Sequence, residues 1–425
     1  MKISGWGLTP SIESQKIKHA NKISWGKSFI AKGNLRSYGD SALSKRHIDM
    51  LESDYLISFD EKKGILTAEA GVLLKDIIEI AIPKGWFPPV VPGTKYISLG
   101  GAIASDIHGK NHHKDGCFSN FIESITLLLP NNKSVICSKQ NNRELFLATC
   151  GGMGLTGVIL KASIQLKKIN SRNIEQKIFK TKNLKETFEI FEKISNYDYS
   201  VAWIDCIKKG RKMGRSVVMT GKFCNDGKLN TIKEKSVNVP FYFPSFLLNS
   251  FTIKVFNYLY YSLKRNMTKS IVNYDKFFFP LDSLLNWNRI YGRSGFFQFQ
   301  FIIPLNSSFE GINYVLENLS RHKVGSFLAV LKLYGKENNN LLSFPMSGYS
   351  LALDFKNTES NKRLISSLTD YIIGLNGRVY LAKDSIMTKD QFNKSYKNVS
   401  KFKKIRKKYL LESSFASLQS SRLGL

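Results

Sequence analysis

The sequence predicts an α+β protein of two domains, and three observations carry that expectation. At 425 residues the chain exceeds one ordinary core, since domains usually run about 100 to 200 residues. Residues 1–170 alternate β-like and helical patterns, but without the regular strand–helix spacing of a parallel doubly wound sheet. From residue 171 the texture changes to amphipathic helices and longer strands, which places a second domain at 171–377.

Taken in order, YLISFDEKKGILTAEAG (55–71) reads as strand, glycine-containing turn and strand. VLLKDIIEIAIPKGW (72–86) is a helix that Pro83 and Gly85 stop. ITLLLPNNKSVICS (125–138) is a hairpin turning at Asn131 and Asn132, NRELFLATCGG (142–152) a short helix ending on glycines, and GVILKASIQL (157–166) a further strand. In the second part, NLKETFEIFEKIS sets Leu184, Phe188, Phe191 and Ile194 on one helical face behind an Asn183 cap. SVAWIDCI and RSVVMTGKF follow as strands.

Three later strands, FFQFQFIIP, FLAVLKLYG and YSLALDF, alternate apolar groups with a few polar ones: Gln298 and Gln300, Lys332, and Ser350 with Asp354. A sheet face open to bulk water would carry more Lys, Glu and Thr. Isolated polar groups fit a covered face that lines a pocket, although a solvated face is an even alternative on pattern alone.

The segment VNVPFYFPSFLLNSFTIKVFNYLYYSLKRN (237–266) is rich in aromatic and aliphatic groups and closes on Lys264 and Arg265. Pro240, Pro244, Asn249, Lys254 and Asn257 interrupt it too often for a spanning helix, and no other run of about 18 apolar residues occurs. Two readings remain, an aromatic core hairpin, which pattern favours, and a segment lying at a membrane interface.

Composition excludes disorder, because 43% of residues are hydrophobic and 12% aromatic. Sixty-three Lys and Arg against 33 Asp and Glu give +30, which favours polyanions, phosphorylated substrates or anionic membrane faces. Lysines are scattered from end to end, so a bias in coding composition explains the charge equally well. A basic nucleic-acid-binding protein would need clustered charge or a recognition motif, and neither occurs. Five cysteines, with no C-x-x-C pair, suggest neither a disulfide framework nor a structural zinc site. MKISGWGLTPSIESQ lacks the apolar stretch of a secretory signal. The expected location is therefore cytoplasmic, or peripheral at the inner membrane.

Glycine-containing loops at 31–41, 69–74, 92–111 and 150–157 could wrap a diphosphate with backbone N–H groups, though each alone is a weak signal. None is a Walker sequence or a correctly placed dinucleotide fingerprint. SDIHGKNHH (105–113) concentrates three of the six histidines. Zinc ligation by His108, His112 and His113 would need Asp106 or Cys117 to complete the shell, and adjacent His112 and His113 would point apart, so no metal is expected.

In combination, LRSYGDS, GGAIASDIHGKNHH, GGMGLTGVIL, FFFPLDSLLNWNRIYG, FFQFQFIIP, LKLYG, FPMSGY, YLAKDS and FASLQSSRLGL resemble the decaprenylphosphoryl-ribose oxidases, in the order found there. These are flavoenzymes of the vanillyl-alcohol oxidase superfamily, with a PCMH-type FAD-binding domain. The resemblance runs from about residue 5 to the C-terminus. It implies an FAD-binding α+β domain at 1–170 completed by 378–425, and a substrate domain at 171–377 with an antiparallel sheet flanked by helices and a flexible or membrane-facing segment at 237–266.

It also implies FAD contacts from Ala31, Lys32, Gly33, Asn34, Leu35, Arg36, Ser37, Tyr38, Gly39, Asp40 and Ser41 in the first loop. Gly93, Ser98, Leu99, Gly100 and Gly101 follow in the second, then Ser105, His108, Gly109 and Asn111, then Gly154, Ile159 and Tyr380. Many relatives tether the flavin through a histidine where this chain has Arg36, so bound FAD should be noncovalent. Leu35 stands where the family usually has glycine. Lys383 in YLAKDS resembles the family's essential lysine, with His108 and Tyr38 beside the reacting centre and Gln298, Gln300, Lys332, Ala352 and Asp354 as substrate-pocket residues. Ala352 replaces a pocket cysteine of many relatives, so thiol-directed inhibitors should fail here.

The implied reaction oxidises the 2'-hydroxyl of a polyprenyl-phosphoryl ribose to the 2'-keto sugar, the first half of an epimerisation to arabinose that a keto-reductase partner would complete. It would serve cell-wall arabinan synthesis, with peripheral membrane contact possible. A soluble sugar, alditol or aldonolactone is the alternative substrate, since fold does not fix substrate.

Overall fold

The computed structural model describes residues 1–17, 23, 25–231 and 235–425. Two sheets organise the α+β fold. The first is five-stranded and antiparallel, in the order Lys133–Cys137, Ile122–Leu129, Val158–Gln165, Ile65–Glu69, Leu56–Asp60. Both sequence hairpins form its edges, and the strand Val158–Gln165 enters between them. Beside it, Gln15–Lys16, Arg46–Asp49 and Ile30–Lys32 make a small parallel sheet.

The helix Leu74–Ala81 buries Leu74, Ile77, Ile78 and Ala81, the i, i+3, i+4, i+7 stripe that its sequence predicts. A 3-10 turn through Pro83 ends it, and Gly85 follows in the left-handed region at φ 75°. Ser98 opens the next helix, Leu99–Ala104, its Oγ accepting from the Gly101 N–H at 3.2 Å.

The second sheet has eight antiparallel strands, in the order Thr268–Asn273, Asn173–Thr181, Ser216–Phe223, Tyr199–Ile204, Ala329–Tyr334, Gly348–Lys356, Phe296–Pro304, Arg378–Val379. Helices Leu184–Lys193, Leu305–Arg321 and Glu359–Gly374 bury their apolar stripes against it. Register decides what shares its other face. Gln298 lies opposite Asp354, Gln300 opposite Ala352, and Lys332 opposite Ser350. Because side chains alternate with period two, these polar groups converge on one covered face.

Two expectations change. Residues 237–266 form no hairpin of their own: Val237–Asn238 pairs with Leu284–Leu285, and Ser250–Leu263 is a helix closed by an Asn249/Thr252 capping box. Phe246, Phe251, Tyr258 and Leu263 are exposed on this segment, so it is no core element. Among the described residues no helix is long and apolar enough to cross a membrane. His112 and His113, expected in a loop, begin a short helix, His112–Asp115.

Past Val379 the chain returns to the first sheet's side. Phe415 bridges Phe29, and the Arg422 guanidinium grips Asp40 and Asp384.

Candidate active site

A cavity of about 620 Å³ runs between the loops 31–42, 92–105 and 153–159 on one side and the polar face of the large sheet on the other. Its size suits a large organic ligand. Ala31, Gly33, Asn34, Leu35, Arg36, Ser37, Tyr38 and Ser41 line it, as do Gly93, Ser98, Gly100, Gly101, Ser105, His108, Gly154, Ile159 and Tyr380. Gln298, Gln300, Lys332, Ala352 and Lys383 face it from the other domain's sheet and the C-terminal segment.

Seven expected contacts do not line this cavity. Lys32 Nζ is turned away to Asp49 Oδ2 at 2.6 Å. Gly39 packs on Asp384, whose carbonyl oxygen a Cβ there would meet at 1.9 Å. Asp40 accepts two bonds from Arg422 at 2.8 and 3.0 Å. Leu99 is fully buried in the core. A Cβ on Gly109 would meet Asn111 Oδ1 at 2.5 Å, and Asn111 Nδ2 donates to the Pro89 carbonyl and Asp115. Asp354 lies behind Gln298, whose Nε2 donates to its Oδ1 at 2.5 Å. Each of these polar groups serves the loops' own architecture, a role that short motifs do not distinguish from ligand contact.

Leu35 adopts φ 49°, the left-handed conformation that glycine takes without strain and leucine only at a cost of about 1 kcal/mol. The turn is therefore kept despite the changed residue.

Asp106, also at positive φ and fully buried, fixes the histidine loop. Its carboxylate accepts from the Ser119 N–H, Ser343 Oγ at 2.6 Å and the amides of Asn338 and Asn340. His112 Nδ1 accepts from the Gly335 N–H, which leaves Nε2–H facing Cys117 Sγ at 3.4 Å. His113 Nε2 donates to the Tyr197 carbonyl at 2.8 Å. Both imidazoles thus have structural partners. Among the described residues no three His, Cys, Asp or Glu side chains could hold a metal ion, and all five cysteines are free thiols.

His108 differs. With the Gln300 amide as oriented, Gln300 Nε2 donates to His108 Nε2 at 3.0 Å, so the proton resides on Nδ1, which has no partner. An unsatisfied buried donor is costly unless a ligand completes it. Burial, helped by Lys332, His112 and Lys383, holds this imidazole well below its ordinary pKa, hence neutral. Tyr380 packs against it at 4.8 Å and donates to the Ser105 carbonyl.

Lys383 Nζ stands 3.7 Å over the Tyr38 ring. Burial lowers its pKa, partly opposed by Asp354, while burial raises that of Asp354. Lys332 is pushed down to about 8 by burial.

Residues that sequence reasoning missed complete the walls. Trp6 stacks 4.1 Å from the Arg36 guanidinium, with Tyr96 on its flank, and Arg36 Nε has no partner. Leu281, Leu284, Leu285, Trp287 and Leu328 form an apolar stretch, with Asp282 among them, its carboxylate accepting from the Lys95 N–H at 2.8 Å. Most of these lie in FFFPLDSLLNWNRIYG, where the signal was the motif itself.

These features test the implied FAD against the chain itself. The unsatisfied His108 Nδ1–H and Arg36 Nε fit a ligand with acceptors. A Cβ at Gly93 would meet no protein atom within 4 Å, so backbone there borders open cavity. The residues fit the group.

Comparison with known proteins agrees. The FAD binding domain family matches residues 17–138. L-gulonolactone oxidase of Scyliorhinus torazame is 32% identical over 112 residues, 26% of this chain and 25% of its own. Human Delta(24)-sterol reductase is 27% identical over 111 residues, 26% of this chain and 22% of its own. Both likenesses are confined to about a quarter of the chain. Decaprenylphosphoryl-beta-D-ribose oxidase of Mycolicibacterium smegmatis is 33% identical over 450 aligned positions, spanning 100% of this chain and 97% of the relative. The protein is an FAD-dependent oxidoreductase, and the chain belongs to the decaprenylphosphoryl-β-D-ribose oxidase family.

Proposed function

We propose that the protein oxidises the 2'-hydroxyl of a polyprenyl-phosphoryl ribose to the 2'-keto sugar. The observation that carries this is one cavity bordered by glycine loops, by Lys383 and the buried His108, and by an apolar stretch suited to a prenyl chain. FAD, when bound there noncovalently, supplies the acceptor for two electrons and the carbon-bound hydrogen. Lys383 meets the hydroxyl oxygen and takes up its proton and developing charge, for which a desolvated amine is suited. His108 Nδ1–H orients an acceptor, and Tyr38 holds the Lys383 side chain in place. Gln298 and Gln300 present amides to the sugar, and Lys332 faces an anionic group. Ala352 leaves the wall without a thiol.

The division into 1–170 with 378–425 and 171–377 is supported by the two sheets and by the return of Phe415 to Phe29, except that Arg378–Val379 pairs with Phe301 and Ile302 in the larger sheet. A 2'-keto product requires a separate keto-reductase to complete an epimerisation.

Anaerobic bleaching of the bound flavin tests this reading. A short-chain polyprenyl-phosphoryl ribose should bleach it within one turnover, and free alditols should not. Bleaching by alditols alone would assign a soluble substrate instead.

The exposed helix Ser250–Leu263 supports docking on an anionic leaflet, with Phe246, Phe251 and Leu263 entering the interface and Lys254, Lys264 and Arg265 near head groups. Each inserted ring is worth about 1.5–3 kcal/mol if fully buried. Phe251→Asp should therefore weaken binding to phosphatidylserine vesicles at least about tenfold, measured by co-sedimentation; unchanged binding rejects the site.

A further inference from the structure

A lipid-linked sugar phosphate has a polar end, an anionic joint and an apolar tail, so a cavity that takes it needs a cation where its polar and apolar walls meet. Lys383, Lys332 and Arg36 are the lysine and arginine side chains that line the cavity. Lys383 lies over the Tyr38 ring at 3.7 Å. Lys332 lies 5.6 Å from the Tyr334 ring, which His108 contacts at 5.1 Å, and so belongs with the histidine. The Arg36 guanidinium rests 4.1 Å from the Trp6 ring and 5.5 Å from the Tyr96 ring. Trp6 in turn packs into the apolar cluster that holds Leu281, Leu284, Trp287 and Leu328. Arg36 therefore stands at the junction of the glycine loop 31–42 and the apolar stretch.

The setting is fixed in advance. The Trp6 N–H donates to the Ser37 carbonyl at 2.8 Å, Asn288 Nδ2 donates to the Trp6 carbonyl at 3.1 Å, and Asn34 Nδ2 donates to the Tyr96 carbonyl at 2.7 Å. Aromatic rings hold the guanidinium without consuming its N–H groups. Its Nε is buried and has no hydrogen-bond partner. Asp282, the carboxylate among the described lining residues, accepts from the Lys95 N–H at 2.8 Å. A planar fork clamped by rings, with donors unspent, matches the geometry of phosphate oxygens. We propose that Arg36 is the phosphate clamp of the lipid-linked sugar, holding the phosphodiester so that the sugar reaches Lys383 and the prenyl chain follows Leu281, Leu284 and Trp287. This rests on the alcohol oxidation proposed above. The phosphodiester sits on the sugar carbon next to the one that carries the 2'-hydroxyl, and Arg36 is two residues from Tyr38, on whose ring Lys383 rests. One bound substrate thus meets both cations. FAD keeps the backbone N–H groups of the glycine loops, the His108 Nδ1–H and the open backbone at Gly93. Arg36 selects phosphoryl lipids over neutral ones and sets the direction in which the sugar enters.

The test compares two ligands of equal chain length by anaerobic flavin bleaching in the holoenzyme: a short-chain polyprenyl-phosphoryl ribose and the polyprenyl riboside that lacks the phosphate. The parent should half-saturate at a far lower concentration of the phosphoryl form, and Arg36→Leu should erase about 10–100-fold of that preference. Arg36→Lys keeps the charge without the fork and should fall between the two. Flavin dissociation, followed by fluorescence, should match the parent in both variants. A polyprenyl phosphate with no sugar, titrated into oxidised holoenzyme, tests the clamp without turnover. It should quench tryptophan fluorescence in the parent through Trp6 and bind at least about tenfold more weakly to Arg36→Leu. Equal half-saturation by the two ligands in the parent, or a preference retained in Arg36→Leu, would overturn the clamp. Loosened flavin with that preference intact would assign Arg36 to FAD instead. If the parent bleaches with neither ligand yet binds polyprenyl phosphate through Arg36, the oxidation reading fails and the clamp stands.

Discussion

Lys383→Ala should keep the yellow colour and the melting temperature of the parent yet slow flavin bleaching by the lipid-linked sugar about 1,000-fold. The magnitude follows from two roles lost together, since a positioned proton acceptor is worth about 10²–10⁴ and a preorganised charge about 10²–10³. Stability should hold because Lys383 Nζ rests on the Tyr38 ring at 3.7 Å and not on a carboxylate. Removing it relieves a buried cation, and Asp354 can answer by binding a proton. Lys383→Met keeps the side-chain length and should be as slow as alanine, which separates charge from shape. The pH dependence has a definite sign. Burial lowers the Lys383 pKa, so neutral amine is more abundant near neutrality than on an exposed lysine, and the bleaching rate should rise with pH until the amine is fully free. Stopped-flow absorbance under nitrogen checks both variants; bleaching within tenfold of the parent would remove Lys383 from its assigned role.

Local chemistry was legible wherever period and punctuation agree. The helix Leu74–Ala81, both hairpins and the Asn183 cap follow from apolar spacing and turn residues alone. The polar stripe Gln298, Gln300 and Lys332 was legible for the same reason, because alternation fixes the face before the fold is known. What neighbours a loop was not. Asp40 and Lys32 sit in glycine motifs suited to a diphosphate, but Arg422 and Asp49 claim their polar atoms across sequence separations that no pattern encodes, while Asn111 is claimed locally by Asp115. Asp106 could be weighed only as a metal ligand, because the partners that give it a structural role, Asn338, Asn340 and Ser343, lie more than 200 residues away. For the 237–266 segment aromatic content left a core hairpin and an interfacial segment both open, and tertiary packing, which leaves Phe246, Phe251, Tyr258 and Leu263 exposed, argues against the first.

The largest effect on stability should come from Arg422, three positions before the last residue. Its guanidinium spans two carboxylates: Nε and one terminal nitrogen bind Asp40 at 3.0 and 2.8 Å, and that same nitrogen binds Asp384 at 2.9 Å. The side chains of Asp40 and Asp384 are 5% and 1% exposed. Arg422→Met therefore leaves two nearly buried acids facing each other without a cation, a loss of about 3–5 kcal/mol. For a chain of this size that corresponds to about 3–6 °C in melting temperature. Lysine should not substitute, because the geometry uses the planar fork. The damage should reach the site, since Asp384 follows Lys383 and its carbonyl packs on Gly39 in the cavity-lining loop; flavin fluorescence should thus appear at the same lowered temperature as unfolding. The decisive comparison is the triple variant Asp40→Asn, Asp384→Asn, Arg422→Met. If orphaned charge is the cause, neutralising both acids recovers most of the lost stability although it restores no ion pair. A triple variant no more stable than Arg422→Met would instead assign the loss to packing, and an Arg422→Met protein melting within about 1 °C of the parent would show that the C-terminal segment does not depend on this clasp.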